Sequence, residues 1–382
     1  MFHITAKLLM QAINAAKQLK SDVAILYAGR HGVLFGTRSD AGTFLTLLST
    51  VKHSEFSVLL KLEELTTATH RVSEMDFDIQ SDHVIIRPKG IRSVIRLAAE
   101  PAKPGDMLDL WESRSNGKSA PMLTRMLSEN HELFCIKDHV GGKPVPVHIR
   151  WNNEGVAAGM SDIYHGVSVR SQKAPLSKKE GREVFVYSSW LRLLLDFLRP
   201  EDKKDKTKDK DALPVKVGKV RLSLTESNVS VSTDNTLLVL QAIVPGAETV
   251  TLDDIAQIAN SESKNKLKIN MADCNAALQR SLAVLPREAA IKFVISEKKP
   301  EVMRIEGLHD SGSRIVEEIT TSRAKKPLAF SSTIYNLLDV TAASVPSCEM
   351  RQSGKAILFS YDYASITDTI YRVDLFSVVT AG

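Results

Sequence analysis

The chain carries Gly155-Val-Ala-Ala-Gly-Met-Ser-Asp162, a stretch whose pattern occurs twice more. The same signal, one residue longer, stands at Gly32-Val-Leu-Phe-Gly-Thr-Arg-Ser-Asp40, and a looser copy stands at Val302-Met-Arg-Ile-Glu-Gly-Leu-His-Asp310. Each copy predicts a turn, a short apolar strand and a polar corner that ends in Asp. Because the spacing between copies is too long for a solenoid, the repeats predict domains.

The composition is that of an ordinary globular protein. The 382 residues are 43% hydrophobic and 25% charged, which predicts two or three domains with substantial cores. The net charge is only +5, so any nucleic-acid binding must use a local basic face. The three cysteines have no paired spacing, which favours reduced thiols over a disulfide framework or a zinc site.

The same reading predicts a cytoplasmic protein without a membrane partner. The first residues lack the charged and apolar regions of a signal peptide. No apolar run approaches the roughly 18 residues that a membrane-spanning helix requires.

Hydrophobic periodicity predicts one element order that recurs. The first unit begins with strand Met1–Thr5 and helix Ala6–Leu19, followed by three strands. The order strand, helix and three strands then repeats over Phe56–Ala98. The second halves of three units begin alike, at Phe56, Phe185 and Phe330, which predicts three similar domains with two helices and two small sheets each.

We therefore expect domains at residues 1–112, 113–247 and 248–382. The segments Pro101–Gly117 and Val244–Asn260 are interpreted as linkers between them. Ser188–Arg199 has the strongest helical pattern in the chain. Residues 200–213 are predicted to be a charged, flexible insertion, because Glu201–Asp211 sets five Lys against four Asp and one Glu.

No catalytic constellation is evident, so neither a catalytic residue, a metal nor a cofactor is predicted. Gly117-Lys118-Ser119 resembles the end of a phosphate-binding loop, but Glu112 stands where that motif requires its first glycine. Asp40, Asp162 and Asp310 occupy equivalent corners of separate units, where capping of a turn is the expected role. These observations favour a binding or structural protein over an enzyme.

Three tandem units of this pattern resemble the bacterial DNA polymerase III β sliding clamp, with the two-domain proliferating cell nuclear antigens as relatives in architecture. The resemblance covers the whole chain and is strongest at Val156–Val169, Phe330–Ala343 and Tyr371–Val378. It implies an α+β fold of clamp domains, forming a ring with helices inside and sheets outside. The charged insertion is a departure that fits a divergent clamp, such as one from a large bacteriophage.

The resemblance also implies a function, namely a processivity factor that encircles double-stranded DNA without reading its sequence. Its partners would be a DNA polymerase, a clamp loader and a second copy of the chain. The DNA-facing candidates are basic residues on the predicted inner helices. They are Lys7, Lys17, Lys20, Lys61, Arg71, Arg125, Arg192, Arg199, Arg280 and Arg287.

In the family, partners insert a short peptide into an apolar pocket between the second and third domains. The pocket residues implied by the resemblance come from three segments. They are Ser161, Ile163, Tyr164 and Gly166; Leu252 and Ile255; and Val373, Leu375, Phe376 and Val378. Two of these segments depart from the family pattern. Ile163-Tyr164 stands where a Gly-His pair is common, and the last segment differs from the usual Met-Pro-Met-Arg-Leu.

A head-to-tail homodimer is implied as well, with Ile95 and Leu97 of edge strand Ser93–Ala98 meeting Leu282 and Val284 of the partner. A second interpretation remains, that of a nucleic-acid-binding enzyme or regulator with duplicated domains. The two differ in that a ring requires dimerisation through strand edges, whereas an enzyme requires turnover of a substrate.

Overall fold

The three-dimensional structure is a computed structural model, and the chain divides into two compact units. One unit comprises Met1–Ser128 and Ser189–Ile243, and the other comprises Glu129–Ser188 and Val244–Gly382. The structure describes residues 2–51, 55–70, 72–80, 82–114, 121–130, 134, 139–140, 143–162, 165–175, 177–188, 193, 221–260, 266–309, 311–341, 347–365 and 368–381. The predicted insertion at 200–213 therefore lies outside the described residues.

The first unit contains a four-stranded and an eight-stranded antiparallel sheet. The four-stranded sheet has the order β1 (Phe2–Thr5), β6 (Glu74–Ile79), β7 (His83–Pro88) and β8 (Ile95–Ala98). The eight-stranded sheet has the order β16 (Arg221–Leu224), β17 (Asn228–Ser232), β18 (Thr236–Gln241), β4 (Gly42–Ser49), β3 (Gly32–Ser39), β2 (Val23–Gly29), β5 (Phe56–Lys61) and β9 (Glu100–Pro101). Pairing between β18 and β4 thus joins two distant parts of the chain into one sheet.

The helices of this unit are amphipathic, and their apolar faces supply the core. They are α1 (Ala6–Gln18), α2 (Leu62–Ala68), α3 (Asp106–Ser113) and, at its boundary, α4 (Pro121–Glu129). The predicted helical face of α1 is confirmed, because Leu9, Ala12, Ile13 and Ala16 are all buried. Each large buried aliphatic side chain stabilises the fold by roughly 1.5–3 kcal/mol.

The second unit is built in the same way from an eight-stranded and a five-stranded sheet. The larger sheet has the order β15 (Arg182–Tyr187), β12 (Pro146–Trp151), β13 (Val156–Ser161), β14 (His165–Ser171), β26 (Ile370–Val378), β25 (Ala356–Ala364), β24 (Cys348–Ser353) and β19 (Lys266–Ile269). The smaller has the order β22 (Arg314–Thr320), β21 (Lys299–Leu308), β20 (Ala290–Ser296), β23 (Leu328–Thr333) and β27 (Thr380–Ala381). A short hairpin comprises β10 (His139–Val140) and β11 (Lys143–Pro144).

The helices of the second unit are α5 (Leu252–Asn260), α6 (Met271–Ser281) and α7 (Ile334–Thr341). Asn270 begins α6 as an N-cap, because its side-chain oxygen accepts hydrogen bonds from the backbone N–H groups of Ala272 and Asp273. On the predicted apolar face of α6, Cys274, Ala277, Leu278 and Ser281 are buried and Leu282 is half-buried.

The predicted repeat of strand, helix and three strands is confirmed over β1 to β8 and again over β19 to β26. The predicted strand at 133–137 and helix at 188–199 fall almost entirely outside the described residues. Of these segments the structure describes Phe134, Ser188 and Leu193, and all three side chains are buried.

The interpretation of Pro101–Gly117 as a plain linker is wrong, because its centre forms the helix α3. Met107 and Trp111 stand four residues apart, so they share one face of this helix. Both are buried in a cluster with Tyr27, Leu34, Leu45, Leu237 and Val239, side chains of β2, β3, β4 and β18. Four large apolar side chains, Met107, Leu108, Leu110 and Trp111, were a weak signal in an otherwise polar segment. The sheet offers them an apolar surface on which to pack.

We predict that Trp111→Ala lowers the unfolding free energy of the first unit by roughly 3–5 kcal/mol, because it removes a buried aromatic side chain from this cluster. Urea denaturation followed by circular dichroism measures the change. Asp109→Ala on the exposed side of α3 is the control and should stay within about 0.5 kcal/mol of the original protein. Equal effects of the two substitutions would show that Trp111 does not anchor α3.

Candidate functional site

The seam between β14 and β26 is the centre of the candidate site in the second unit. The two strands pair antiparallel, with Gly166 opposite Phe376 and Ser168 opposite Asp374. This pairing brings residues 165–171 beside residues 370–378, two of the three segments that were expected to form a partner pocket.

Helix α5 lies across this seam, so the interpretation of 244–260 as a plain linker is also wrong. Its side chains Leu252, Ile255 and Ala259 are buried at a helical spacing of three and four residues. Ile255 and Ala259 pack with Ala356, Leu358 and Phe376, whereas Leu252 packs with Ala157 and Ala174. A helix is favoured here because the apolar sheet surface provides the burial that such a short helix needs.

A glycine permits this close packing of helix on sheet. A Cβ atom at Gly159 of β13 would lie 2.7 Å from Leu252 Cδ2 and 3.1 Å from Ile255 Cδ1. At Gly166 of β14, a Cβ atom would overlap the ring of Phe376. We call the sheet surface that carries Gly159, Gly166 and Phe376 the α5 face.

A buried histidine of β12, His148, forms a hydrogen bond with the first turn of α5. The Leu252 backbone N–H donates to His148 Nδ1 at 3.0 Å, so the neutral ring carries its proton on Nε2. That nitrogen lies 3.2 Å from Glu183 Oε2 and can donate to it. The imidazole also stacks on Phe185 with a centroid separation of 4.1 Å.

Arg150 makes the second connection between β12 and α5. Its two terminal nitrogens donate to the Asp253 carboxylate at 2.9 and 2.8 Å, a bidentate pair, and one also donates to Glu183 at 3.2 Å. Lys178 lies 3.1 Å from the other oxygen of Glu183. The buried guanidinium is therefore matched by two carboxylates, which offsets the cost of removing it from water.

The surroundings shift the pKa values of His148, Asp253 and Glu183 in directions that preserve this hydrogen-bond network. Burial, followed by the charge of Arg150, lowers the pKa of His148 from 6.5 to about 4. The hydrogen bond from Arg150 lowers the pKa of Asp253. Burial acts to raise the pKa of Glu183, but hydrogen bonds from Lys178 and Arg150 outweigh it and the net direction is downward. At neutral pH, His148 is uncharged and both carboxylates are ionised.

A second charged cluster lies on the α5 face of β26. Asp374 is 2% exposed and accepts a hydrogen bond from the Ser360 hydroxyl at 2.7 Å. Its carboxylate oxygens also lie 3.3 Å from Arg372 Nε and 3.7 Å from Arg170 Nη2. Arg372 reaches Asp362 at 3.4 Å as well, so two arginines share one buried carboxylate.

Between α5 and the sheet runs an open groove whose lining combines small apolar and charged side chains. It is lined by Arg150, Ala157, Ser168, Arg170, Ala174, Pro175, Leu252, Ala256, Ala259 and Asp374. The α5 face is therefore polar at its centre, in contrast to the wholly apolar pocket that the resemblance implied.

The structure brings only some of the expected pocket residues to this face. Leu252, Ile255, Gly166 and Phe376 lie together. Side chains alternate along a strand, so Ser161 joins Gly159 on the α5 face, where its hydroxyl donates to backbone carbonyls. Val378 shares the side of β26 that carries Phe376 and is half-buried.

Val373 and Leu375 lie on the opposite side of β26, where both are buried in the core. Because β26 continues to Val378, its two sides cannot line the same groove. Ile163 and Tyr164 lie outside the described residues. The arginines and Asp374 were missed by the sequence analysis, although a single Asp between Val373 and Leu375 in an apolar strand was a usable signal.

The DNA-facing candidates fall in different environments. Lys7 and Lys17 are exposed on α1, a helix without any acidic residue, and Lys20 is exposed just beyond its end. Lys61 lies 3.7 Å from Glu64, and Arg280 is held by two hydrogen bonds to Glu317 at 3.0 and 2.7 Å. Arg287 is exposed and Arg125 is half-buried, whereas Arg71, Arg192 and Arg199 lie outside the described residues.

The dimer candidates lie on one edge strand and in the turn after one helix. Ile95 and Leu97 lie on β8, which pairs only with β7 among the described residues. Leu97 is buried and Ile95 is half-buried within the chain itself. Leu282 and Val284 follow α6, and the first is half-buried whereas the second is exposed.

Two features concern the described part of the chain as a whole. Within it, no group of three or more His, Cys, Asp or Glu side chains could hold a metal ion. None of the helices described is long and apolar enough to span a membrane.

At the corner before β14, Asp162 accepts the His165 backbone N–H, a hydrogen bond of 2.5 Å that agrees with the expected role in capping a turn.

Comparison with known proteins identifies the class of fold. No family model matches the sequence, and no curated protein matches it either. Solved structures do match over nearly the whole chain. They include the DNA polymerase III β subunit from Pseudomonas aeruginosa (TM-score 0.71, 11% identity, 99% of each chain covered) and the sliding clamp from Bacillus subtilis (0.70, 13%, 100% of this chain and 98% of that chain). The β subunit from Streptococcus pyogenes matches with a TM-score of 0.69 at 11% identity, covering 100% of this chain and 99% of that one.

The protein thus has the α+β fold of the bacterial β sliding clamps. Because the identity is so low, the likeness is one of fold, and the side chains of the site must be interpreted on their own.

We predict that the unfolding temperature falls as the pH is lowered from about 6.5 to 5, because of His148. The folded chain keeps this imidazole neutral down to about pH 4, whereas the unfolded chain binds a proton near pH 6.5. Stability is therefore lost as pH falls through this window. The depressed carboxylates Asp253 and Glu183 lose their contribution only at lower pH.

Thermal unfolding of His148→Asn, whose side-chain oxygen can still accept from Leu252, should show a flatter dependence on pH than the original protein. His70→Asn, at an exposed position, serves as the control and should keep the original slope. If His148→Asn keeps that slope too, the imidazole is not the group that responds.

Proposed function

We propose that the protein is a sliding clamp, a non-catalytic processivity factor that encircles duplex DNA as a head-to-tail homodimer and tethers a DNA polymerase. Three domains per chain, at residues 1–112, 113–247 and 248–382, would give six domains in the ring. The fold shared with β clamps over nearly the full chain supports this function. The observation that carries it is the arrangement of strand edges.

Two junctions of one kind occur within the chain. Three strand triplets recur along the chain, namely β2–β3–β4, β12–β13–β14 and β20–β21–β22. The last strand of the first triplet, β4, pairs with β18, and the equivalent strand of the second triplet, β14, pairs with β26. In the third triplet the equivalent strand is β22, which pairs only with β21 among the described residues. Strands β18 and β26 each end another run of three strands, and β8 holds the same place in the run β6–β7–β8. Among the described residues, β8 pairs only with β7 and not with the end of any triplet. Pairing of β22 with β8 of a second copy would repeat the junction and leave neither edge exposed.

The side chains near these two edges suit such pairing. Val94 beside β8 is 66% exposed and Val316 on β22 is 43% exposed. Arg92 and Arg96 are exposed near the first edge, whereas the second edge strand carries Glu317 and Glu318 against one arginine, Arg314. The second edge is therefore the more acidic of the two. Two copies related by a twofold rotation would form both junctions at once and close the ring.

Weak contacts with DNA follow from α1. Its exposed surface presents Lys7, Gln11, Asn14 and Lys17 without a carboxylate, so phosphates would meet only positive and neutral groups. Arg280 contributes less, because Glu317 already neutralises its charge. Loose contacts of this kind permit sliding, while the closed ring would prevent dissociation.

The groove beside α5 is the proposed docking site for the polymerase. A clamp loader would use the same face, since both would need to bind the ring without blocking its opening for DNA. A clamp of this kind would work in the cytoplasm of a bacterium or of a phage-infected bacterial cell. The alternative, a nucleic-acid-binding enzyme or regulator with duplicated domains, makes different predictions in the two tests that follow.

We predict that Val94→Asp combined with Val316→Asp yields monomers, because each new charge would be buried without a partner in the junction. Light scattering should give 42.1 kDa for this variant and twice that mass for the original protein. Val244→Asp introduces the same charge at a position that is 94% exposed and belongs to neither edge strand, so it should leave the dimer intact. An original protein that is monomeric at all concentrations would contradict the ring.

We predict that a short linear duplex binds weakly, with a dissociation constant of roughly 10⁻⁴–10⁻⁶ M near physiological salt, because only phosphate contacts hold it. Lys7→Ala with Lys17→Ala should reduce the slope of log affinity against log salt by up to roughly 4, because each of the two copies loses two lysines. Lys103→Ala with Lys325→Ala, at exposed positions outside the helices, should leave the slope unchanged. Nanomolar, sequence-specific binding would instead favour the regulator.

A further inference from the structure

The charge of the α5 face indicates which kind of partner segment it accepts. We propose that the groove beside α5 binds an extended partner segment through an acidic side chain that pairs with Arg170. This inference rests on the proposed function, because it concerns the same docking site, and it specifies the chemistry of recognition there.

Arg170 differs from the other arginines of this face in how little of its hydrogen-bonding capacity is used. Arg150 is neutralised by bidentate bonding to Asp253 and by Glu183. In the part of the chain that the structure describes, the one charged partner of Arg170 is Asp374, at 3.7 Å, beyond hydrogen-bond distance. A guanidinium has five N–H donors in a planar fork, so most of them are available to a ligand.

Asp374 does not use the hydrogen-bonding capacity of Arg170. Its carboxylate already accepts the Ser360 hydroxyl at 2.7 Å and lies closer to Arg372, at 3.3 Å, than to Arg170. Asp362 also pairs with Arg372, so the two carboxylates balance the two arginines, yet neither accepts a hydrogen bond from Arg170. Its side chain is only 24% exposed, so an ion pair formed there would be partly shielded from water and stronger than one on an open surface.

The side chains that line the groove determine the size and polarity of the rest of the ligand. Ala157, Ala174 and Pro175 lie on one side, with Ala256 and Ala259 of α5 among the other lining residues. These short side chains leave a narrow groove that is open to solvent. That space suits the aliphatic stem of Asp or Glu and one small apolar neighbour. A free carboxylate would lose the contacts with the walls, and therefore a peptide segment is the better match.

Selection from a random-peptide phage library against the immobilised full-length protein tests this inference. The original protein should enrich peptides that share an Asp or Glu, and Arg170→Ala should lose that enrichment. Arg170→Lys should recover part of it, since it restores the charge but not the planar fork. Arg182→Ala, an exposed arginine on β15 that does not line the groove, should select as the original protein does.

A selected peptide then permits a double-mutant cycle. Changing its acidic residue to the amide should weaken binding to the original protein by about 10- to 100-fold, and should have little effect on binding to Arg170→Ala. Ala256→Phe, which fills the groove from α5, should abolish binding in both cases. Competition by free glutamate as effective as that by the peptide would overturn the assignment to a partner segment.

The failures of the two proposals can be distinguished. If the selected peptides are apolar, insensitive to Arg170→Ala and blocked by Ala256→Phe, the groove is a docking site but the acidic recognition is wrong. If no selected peptide responds to Ala256→Phe, docking at this groove is itself wrong. The dimer mass and the salt dependence of DNA binding test the ring independently of either result.

Discussion

Backbone pairing between strand edges is the interaction on which this structure depends. Residues 42–46 pair with 236–240, and residues 165–171 pair with 371–377, so that segments distant in sequence form continuous eight-stranded sheets. Such pairing satisfies backbone groups that would otherwise remain exposed at each edge. The repeats matter because each one supplies an edge of the same kind. Two of those edges are paired within the chain, and the third accounts for the proposed association of two copies.

Each seam is also covered by a helix from a segment that seemed to be a linker. Helix α3 places Trp111 and Met107 over the sheet of the first unit, in a cluster of apolar side chains. Helix α5 covers the corresponding seam of the second unit, but Arg150 and His148 fasten it, and the sheet beneath carries Arg170 and Asp374. The first helix therefore completes a core, whereas the second borders an open and charged groove. This chemical difference, rather than the shared fold, is the reason for assigning partner binding to α5.

Electrostatics has two separate roles in the proposed function. The buried network around Arg150 is matched charge for charge, so it positions α5 and has little left to offer a ligand. Arg170 and the lysines of α1 are less compensated and face groove or solvent. With a net charge of only +5, the protein has no field strong enough to hold DNA by affinity alone. A closed ring would need no such field, because retention would follow from its topology.

The amino-acid sequence alone was enough to predict the repeated order of strands and helices and the apolar faces of α1 and α6. Those features depend on local periodicity, which side chains report directly. Only the tertiary structure decided what the segments 101–117 and 244–260 become, because α3 and α5 depend on sheets formed by distant residues. The tertiary structure also determined which apolar and which charged side chains face the candidate site. Val373 and Leu375 are as apolar as Phe376, yet the alternation of β26 sends them into the core and turns Asp374 toward α5. Which side of a strand faces a groove is set by pairing and register, and neither is encoded locally.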